Sequence, residues 1–233
     1  MNYYDFHSHI LPGMDDGARD PAIAAQMVDM LREQGVCTIA ATSHYISHRE
    51  SPETFIGRRE RALLTLMQEL GGREAPRILP GAEIYLEKGV SEKDLSPLII
   101  HGTRAVLLEL PREPYQSWIL REIEEIIYSL SAIPVMAHIE RYAKHYRKSE
   151  LEEILSLDGV VLQMNLSIFE DRSDMKLAYQ LDKMGFPLLL GSDAHNLSGR
   201  APNWDYLTQK MQKKPKLHSI LRNAADTAKQ LLL

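Results

Sequence analysis

His7, His9, His44, Glu83, Glu109, His138, Asp193 and His195 can all ligate metal, and they share one setting: each stands at the end of a short apolar run. From His7, the intervals to His44, Glu83, Glu109, His138, Asn165 and Asp193 are 37, 39, 26, 29, 27 and 28 residues, about one strand plus one helix each time. The same structural position is reused, with Asn165 as the neutral member of the series. His7-Ser8-His9 and Asp193-Ala194-His195 each add a second ligand at i+2, and the two-residue period of a strand points both side chains the same way. Asp15 or Asp16, in the loop after the first run, completes a set of five imidazoles and four carboxylates.

Nine ligands are too many for one tetrahedral site and suit two or three divalent ions with bridging carboxylates and positions left for water. Mixed imidazole and carboxylate donors favour manganese, iron or zinc over calcium, whose sites are all oxygen. Four carboxylates against three such ions leave a net charge of roughly +2, so the expected guest is an anion. Without cations, the same charges gathered in one mouth would repel and be costly to desolvate. Arg141 follows His138 by three residues and Arg200 follows His195 by five, which puts both on loops at that mouth. Their planar guanidinium groups are suited to binding phosphate oxygens in pairs. His48, His101, His145 and His218 lack such a placement.

Strands alternating with helices must bring these residues together. Strand candidates are Tyr3 to His7, Val36 to Ala41, Arg77 to Glu83, Ala105 to Glu109, Pro134 to His138, Val160 to Asn165 and Leu188 to Gly191. Helix signals lie between them: Asp20 as N-cap with Pro21 at the first position, running to Gly35, and Ser51-Pro52-Glu53 opening a segment that stops at Gly71-Gly72. Further amphipathic segments are Trp118 to Leu130, Leu151 to Leu157 and Met175 to Met184, and the tail from Trp204 to Leu233 reads as two or three helices. Such alternation implies parallel pairing through right-handed crossovers, hence an α/β layer or barrel. In a parallel barrel the carboxyl ends of all strands converge on one face. No repeat or linker interrupts the pattern, so residues 1–233 read as a single domain.

Composition fits this picture. The 233 residues are 44% hydrophobic and 25% charged, the balance of a globular chain with a full core. There are 32 acidic and 27 basic side chains, a net charge of −5, and no Lys/Arg-rich block, which argues against nucleic acid as a partner. Cys37 is the only cysteine, so the chain forms no internal disulfide and its metal ligands must be imidazole and carboxylate. A cysteine-phosphatase loop needs an Arg six positions after its Cys, and Ser43 stands there. No basic leader precedes an apolar run, and no apolar stretch approaches about 18 residues. A cytoplasmic protein without membrane insertion is expected.

In these residues the sequence resembles the PHP superfamily (polymerase and histidinol phosphatase). More closely, it is similar to the bacterial manganese-dependent protein-tyrosine phosphatases encoded with capsule and exopolysaccharide synthesis genes. The resemblance rests on Asp5-Phe6-His7-Ser8-His9-Ile10-Leu11-Pro12-Gly13-Met14-Asp15-Asp16-Gly17, Ala41-Thr42-Ser43-His44, Gly81-Ala82-Glu83-Ile84, Leu107-Leu108-Glu109, Ala137-His138-Ile139-Glu140-Arg141-Tyr142 and Gly191-Ser192-Asp193-Ala194-His195. It implies a distorted seven-stranded (β/α)7 barrel, TIM-like and of PHP type. It also implies three divalent metal ions, manganese first, with iron, zinc or magnesium as alternatives. The implied ligands are His7, His9, Asp16, His44, Glu83, Glu109, His138, Asp193 and His195, with Arg141 and Arg200 orienting phosphate. The rim segments Tyr45 to Gly57 and Pro111 to Trp118 match no family motif and are expected to shape the substrate pocket.

The reaction implied is hydrolysis of a phosphate monoester by water activated on divalent ions. The substrate implied is phosphotyrosine in a protein, an autophosphorylating bacterial tyrosine kinase regulating polysaccharide synthesis. The phenolate of tyrosine has a conjugate acid of pKa about 10, so its departure needs less general-acid help than that of an aliphatic alcohol. Two rivals stand beside this reading: a histidinol-phosphate or other small-molecule phosphoesterase on the same core, and a metal-binding regulatory partner of a kinase without catalysis.

Overall fold

The computed structural model describes residues 3–211, 214 and 216–232. Among the described residues, all nine strands pair in parallel. A three-stranded sheet has the order β1-β2-β4, from Tyr3–Ser8, Val36–Ala41 and Arg77–Pro80. A six-stranded sheet has the order β3-β5-β6-β7-β8-β9, from His44–Tyr45, Glu83–Tyr85, Ala105–Glu109, Ile133–Met136, Val161–Asn165 and Leu188–Gly191. The helices are α1 (Pro21–Glu33), α2 (Pro52–Leu70), α3 (Trp118–Leu130), α4 (Ile139–Tyr142), α5 (Lys148–Leu155), α6 (Arg172–Lys183), α7 (Trp204–Met211) and α8 (Leu217–Leu231). The expected helical tail resolves into α7 and α8; Gln212, Lys213, Pro215 and Leu233 lie outside the described residues.

The helix starts follow the expected chemistry. The Asp20 carboxylate accepts from Ile23 N at 2.9 Å and Ser51 Oγ from Thr54 N at 3.3 Å, each with proline in the first turn. Helix α6 begins at Arg172, three residues before the expected Met175, because Asp171 caps it by accepting from Ser173 N and Asp174 N.

Two further departures from expectation matter to the site. The run Arg77 to Glu83 is not one strand: it divides into β4 and β5, which join different sheets. Pro80 has no N–H to donate, and Gly81 is pressed against the chain, where a Cβ would lie 2.9 Å from Ile100 Cγ1. Across the break, Gly81 N donates to Ala41 O at 2.9 Å and Glu83 N to Ser43 O at 3.0 Å, so β4-β5 continues to track β2-β3. The run Pro134 to His138 stops short, since β7 ends at Met136 and His138 turns left-handed at φ 33° to start α4. At the other sheet boundary, His9 N donates to Ala194 O at 2.9 Å and Asp193 N to His7 O at 2.8 Å.

The core has two parts. The larger lies where strands meet the helices, with Ile10, Met27, Leu31, Leu66, Leu108, Leu162, Leu190 and Trp204 among its members. The smaller gathers Phe6, Ala40, Leu79, Leu107, Val135, Val161 and Leu189, from seven strands, with Ala228 and Leu231 of α8 packed against them. The two-residue period links this inner cluster to the site. Leu107 precedes Glu109 by two, Val161 precedes Gln163 and then Asn165, Leu79 precedes Gly81 and then Glu83, and Ala40 precedes Thr42 and then His44. On β1 a register shift between Asp5 and Ser8 breaks the alternation, so the consecutive residues Phe6 and His7 serve the inner cluster and the site.

Candidate metal centre

The end of β1 brings in His7 and His9. His7 Nε2 is 3.0 Å from Glu83 Oε2 and 3.6 Å from Asp193 Oδ1, while His9 Nε2 is 3.3 Å and 3.5 Å from the same two oxygens. His44 Nδ1 is 3.0 Å from Glu83 Oε2 and 3.6 Å from Glu109 Oε2. His138 Nε2 is 2.9 Å from Glu83 Oε1 and 3.7 Å from Glu109 Oε1. His195 Nε2 and His44 Nε2 lie 3.4 Å and 3.6 Å from Asp16 Oδ1. All nine expected ligands therefore meet in one pocket. Three overlapping groups have ligand atoms within 4.8 Å of one another: His9, Asp16, His44 and His195; His7, His9 and Asp193; and His44, Glu83 and Glu109.

The outer hydrogen bonds decide which ring nitrogens are free. Gln163 Oε1 accepts the His138 backbone N–H at 2.7 Å, so the atom is the oxygen and His7 Nδ1, 2.9 Å from it, must donate. His9 Nδ1 donates to Asp15 Oδ2 at 2.8 Å, and His195 Nδ1 to the Asp193 carbonyl at 2.9 Å. Once the ring is neutral, each bond leaves Nε2 as the nitrogen with a lone pair facing the pocket, which is how protein scaffolds orient metal-binding imidazoles. His7 Nε2 and His9 Nε2 then face each other at 3.2 Å. Glu83 Oε2 and His195 Nε2 are buried without a hydrogen-bond partner. Converging lone pairs and orphaned acceptors are costly alone and fit divalent cations.

Electrostatics point the same way. Burial works to raise the Glu83 carboxyl, but the charge of His7 and the close His138 and His44 rings hold it well below the usual carboxylate range. Asp193 is also held far down, burial being outweighed by His7 and His9. Burial beside Glu83 pushes Glu109 up to about 7. Burial lowers His138 and His195 to about 4, which leaves both rings neutral near pH 7. Burial opposes a charge on His9, yet Asp15 raises that ring well above its ordinary value.

Both arginines sit at the mouth. Arg141 Nη2 is 2.5 Å from Asp193 Oδ2, and Arg200 Nη2 is 2.9 Å from Asp193 Oδ1 with its Nη1 3.6 Å from Asp16 Oδ2. His138 and Asp193 carry φ of 33° and 51°, conformations unusual for residues with a side chain and tolerated where function over-determines the backbone.

Sequence reasoning placed Asn165 at the mouth but missed the supporting roles of Gln163 and Asp5. Gln163 joins His7 to His138, and its amide nitrogen donates to Asn165 Oδ1 at 2.9 Å; Asn165 Nδ2 donates in turn to Asp193 Oδ2 at 2.8 Å. Asp5, fully buried, accepts from His7 N at 3.2 Å, Ser192 N at 3.0 Å and Trp204 Nε1 at 2.9 Å. The available signal was the period of two, which puts Gln163 on the face of Asn165. Among the described residues, no helix is long and apolar enough to cross a membrane.

The model of the family described as "Capsular polysaccharide synthesis, CpsB/CapC" matches residues 3–232. Over 208 residues the chain is 30% identical to "Tyrosine-protein phosphatase YwqE" of Bacillus subtilis (strain 168), covering 84% of this chain and 78% of that protein. Over 212 residues it is 30% identical to "Tyrosine-protein phosphatase CpsB" of Streptococcus agalactiae serotype V, covering 85% of each. A chain from the crystal structures of YwqE from Bacillus subtilis and CpsB from Streptococcus pneumoniae, described as unique metal-dependent tyrosine phosphatases, superposes with a TM-score of 0.74 at 24% identity, over 100% of this chain and 94% of that one. The phosphotriesterase homology protein from Escherichia coli, complexed with phosphate in its active site, has the related fold, with a TM-score of 0.57 at 12% identity over 100% and 98% of the two chains. With its mixed α/β fold of parallel sheets and its cluster of imidazoles and carboxylates, the chain belongs to the CpsB/CapC family of capsular polysaccharide synthesis.

Proposed function

We propose that this protein is a metal-dependent phosphatase that hydrolyses phosphotyrosine in a protein of capsular or exopolysaccharide synthesis, an autophosphorylating tyrosine kinase, in the cytoplasm. The observation that carries the reading is the convergence of nine side chains able to ligate metal, rimmed by two arginines held on one carboxylate, Asp193. In this reading the two sheets form a single distorted seven-stranded (β/α)7 barrel, with β2-β3 and β4-β5 as interrupted strands, and the whole chain is one domain. The backbone bonds between β1 and the segment after β9, and the inner apolar cluster drawn from seven strands, support it.

His7, His9, Asp16, His44, Glu83, Glu109, His138, Asp193 and His195 would hold three divalent ions, manganese in the first place and iron, zinc or magnesium as alternatives. Bound there, such ions supply a water of lowered pKa and positive charge for phosphoryl oxygens. The chain's own part is orientation. Asp193 grips Arg141 and Arg200 through one nitrogen each at 2.5 and 2.9 Å, Arg200 Nη1 also faces Asp16, and the other N–H groups of each fork are left to bind the phosphate. Gln163, Asn165 and Asp15 fix the ring and carboxylate directions.

Metal analysis joined to turnover of a phosphotyrosyl peptide and of histidinol phosphate tests the reading. Metal-loaded protein active on the peptide supports it. Exclusive use of histidinol phosphate would replace the substrate, and a loaded protein inert towards every phosphoester would make the chain a regulatory metal-binding partner instead.

A further inference from the structure

A cleft of about 600 Å³ opens from the metal centre on one side, and Asp15, Asp16 and His44 belong to both. Its other walls are Met14, Ile46, Arg49, Glu50, Thr54 and Arg58, most of them from the rim segment that matches no family motif. Pairing within the cleft leaves one charge over. Asp15 is engaged by His9 at 2.8 Å, and Asp16 faces His44 and His195. Arg58 donates to Glu50 Oε1 and to the Met14 carbonyl, both at 2.5 Å, which ties the loop after β1 to the loop after β3 and fixes the floor. Arg49 is exposed at the edge, and among the described residues no carboxylate pairs with it. Met14 and Ile46 add apolar side chains to the lining of the same cleft.

We propose that this cleft receives the peptide segment flanking the phosphorylated tyrosine, and that Arg49 is a specificity-determining residue that selects an acidic side chain there. The inference rests on the phosphotyrosine reading and deepens it. The opposite rim is the weaker candidate. Its cavity, about 360 Å³, shares Arg141 with the site, but its Lys144 is already bound to Asp174 at 2.7 Å and Glu140 adds a buried carboxyl. Its remaining cation, Arg112, has no carboxylate paired with it among the described residues.

The test compares kcat/KM of the manganese-loaded protein on two phosphotyrosyl peptides that differ only in carrying Asp and Glu, or Asn and Gln, beside the tyrosine. A non-hydrolysable phosphonomethyl-phenylalanine version of each gives the Kd without turnover. The parent should favour the acidic peptide by about 2- to 5-fold, the range of one exposed ion pair, and lose the preference as salt rises. Arg49→Gln should bring the ratio to one, and Arg49→Glu should invert it in favour of a Lys-flanked peptide. A variant that merely loosened the fold would lower both peptides alike and leave the ratio, so the ratio isolates the contact. Equal use of the peptides by the parent, or loss of preference in Arg112→Gln but not in Arg49→Gln, would overturn the proposal while phosphotyrosine turnover still stood. Failure to hydrolyse either peptide would overturn it together with the reading beneath it.

Discussion

Asp15 and His9 are joined by a 2.8 Å contact from Oδ2 to Nδ1, and the same carboxylate accepts from His44 N at 2.8 Å and, through Oδ1, from Gly17 N at 2.9 Å. All this occupies Asp15 outside the ring of candidate ligands. Its neighbour Asp16 is 65% exposed and turns its Oδ1 to His44 and His195. Two adjacent aspartates, indistinguishable by spacing, have different surroundings. We expect Asp16→Asn to remove one ligand and with it a metal ion, and Asp15→Asn to keep the full metal content at roughly 10- to 100-fold weaker affinity, the usual cost of losing an outer partner. Metal stoichiometry after gel filtration, with chelator competition for affinity, separates the two; equal stoichiometric loss in both would count against the assignment.

Gln163 is the hinge between His7 and His138, and nothing else among the described residues bonds His7 Nδ1. Gln163→Leu should free that ring and strand the His138 backbone N–H, lowering metal affinity about 10- to 100-fold while far-ultraviolet circular dichroism stays as in the parent. Unaltered affinity in this variant would mean the inner packing alone orients His7.

His138 and Arg141 lie three residues apart on one turn, and the proposed function gives them different tasks. His138→Ala removes a nitrogen 2.9 Å from Glu83 and should lose metal. Arg141→Ala should retain metal and weaken inhibition by inorganic phosphate about 10- to 100-fold, in line with roughly 1.5–3 kcal/mol for a hydrogen bond to a charged group. Metal analysis and phosphate inhibition constants read the two outcomes separately.

Metal uptake should depend on pH in a definite direction. Glu109 is pushed up to about 7 by burial next to Glu83, and Asp15 raises His9 well above its ordinary value despite burial, so both carry protons near neutrality in the metal-free chain. A cation must displace these protons, hence apparent affinity rises from pH 6 to pH 8 and protons appear in solution on binding. Calorimetric titration in buffers of different ionisation enthalpy measures the released protons, and a pH-independent affinity would contradict the expectation.

Gly191 offers a test of packing. A Cβ there would lie 2.5 Å from His7 Cβ and 2.9 Å from both His7 N and Gln163 Nε2. The neighbours are backbone and a doubly bonded amide and cannot swing aside. Gly191→Ala should cost about 1–3 kcal/mol, as overpacking does, and disturb metal binding through His7 and Gln163. Urea unfolding gives the first quantity and chelator competition the second.

The chemistry of the site was legible from one dimension. The recurrence of ligand types at strand ends needs only the 3.3 Å rise and two-residue alternation of a strand and the crossover length of a helix, all local properties. So the convergence of His7, His44, Glu83, Glu109, His138 and Asp193 could be anticipated, as could the capped starts of α1 and α2. Local properties could not show that Pro80 and Gly81 split one run into β4 and β5, because the cause is Ile100, 19 residues away. They could not show that His138 turns left-handed, since the backbone N–H it presents is satisfied by Gln163 from the next strand. The role of Gln163, the different surroundings of Asp15 and Asp16, and the unpaired guanidinium of Arg49 in its cleft are equally matters of partners far off in the chain. The sequence by itself determined which atoms can bind a cation and an anion. Only the tertiary structure decided which lone pairs face inward, because a ring nitrogen is free or engaged according to what folding packs against its other side.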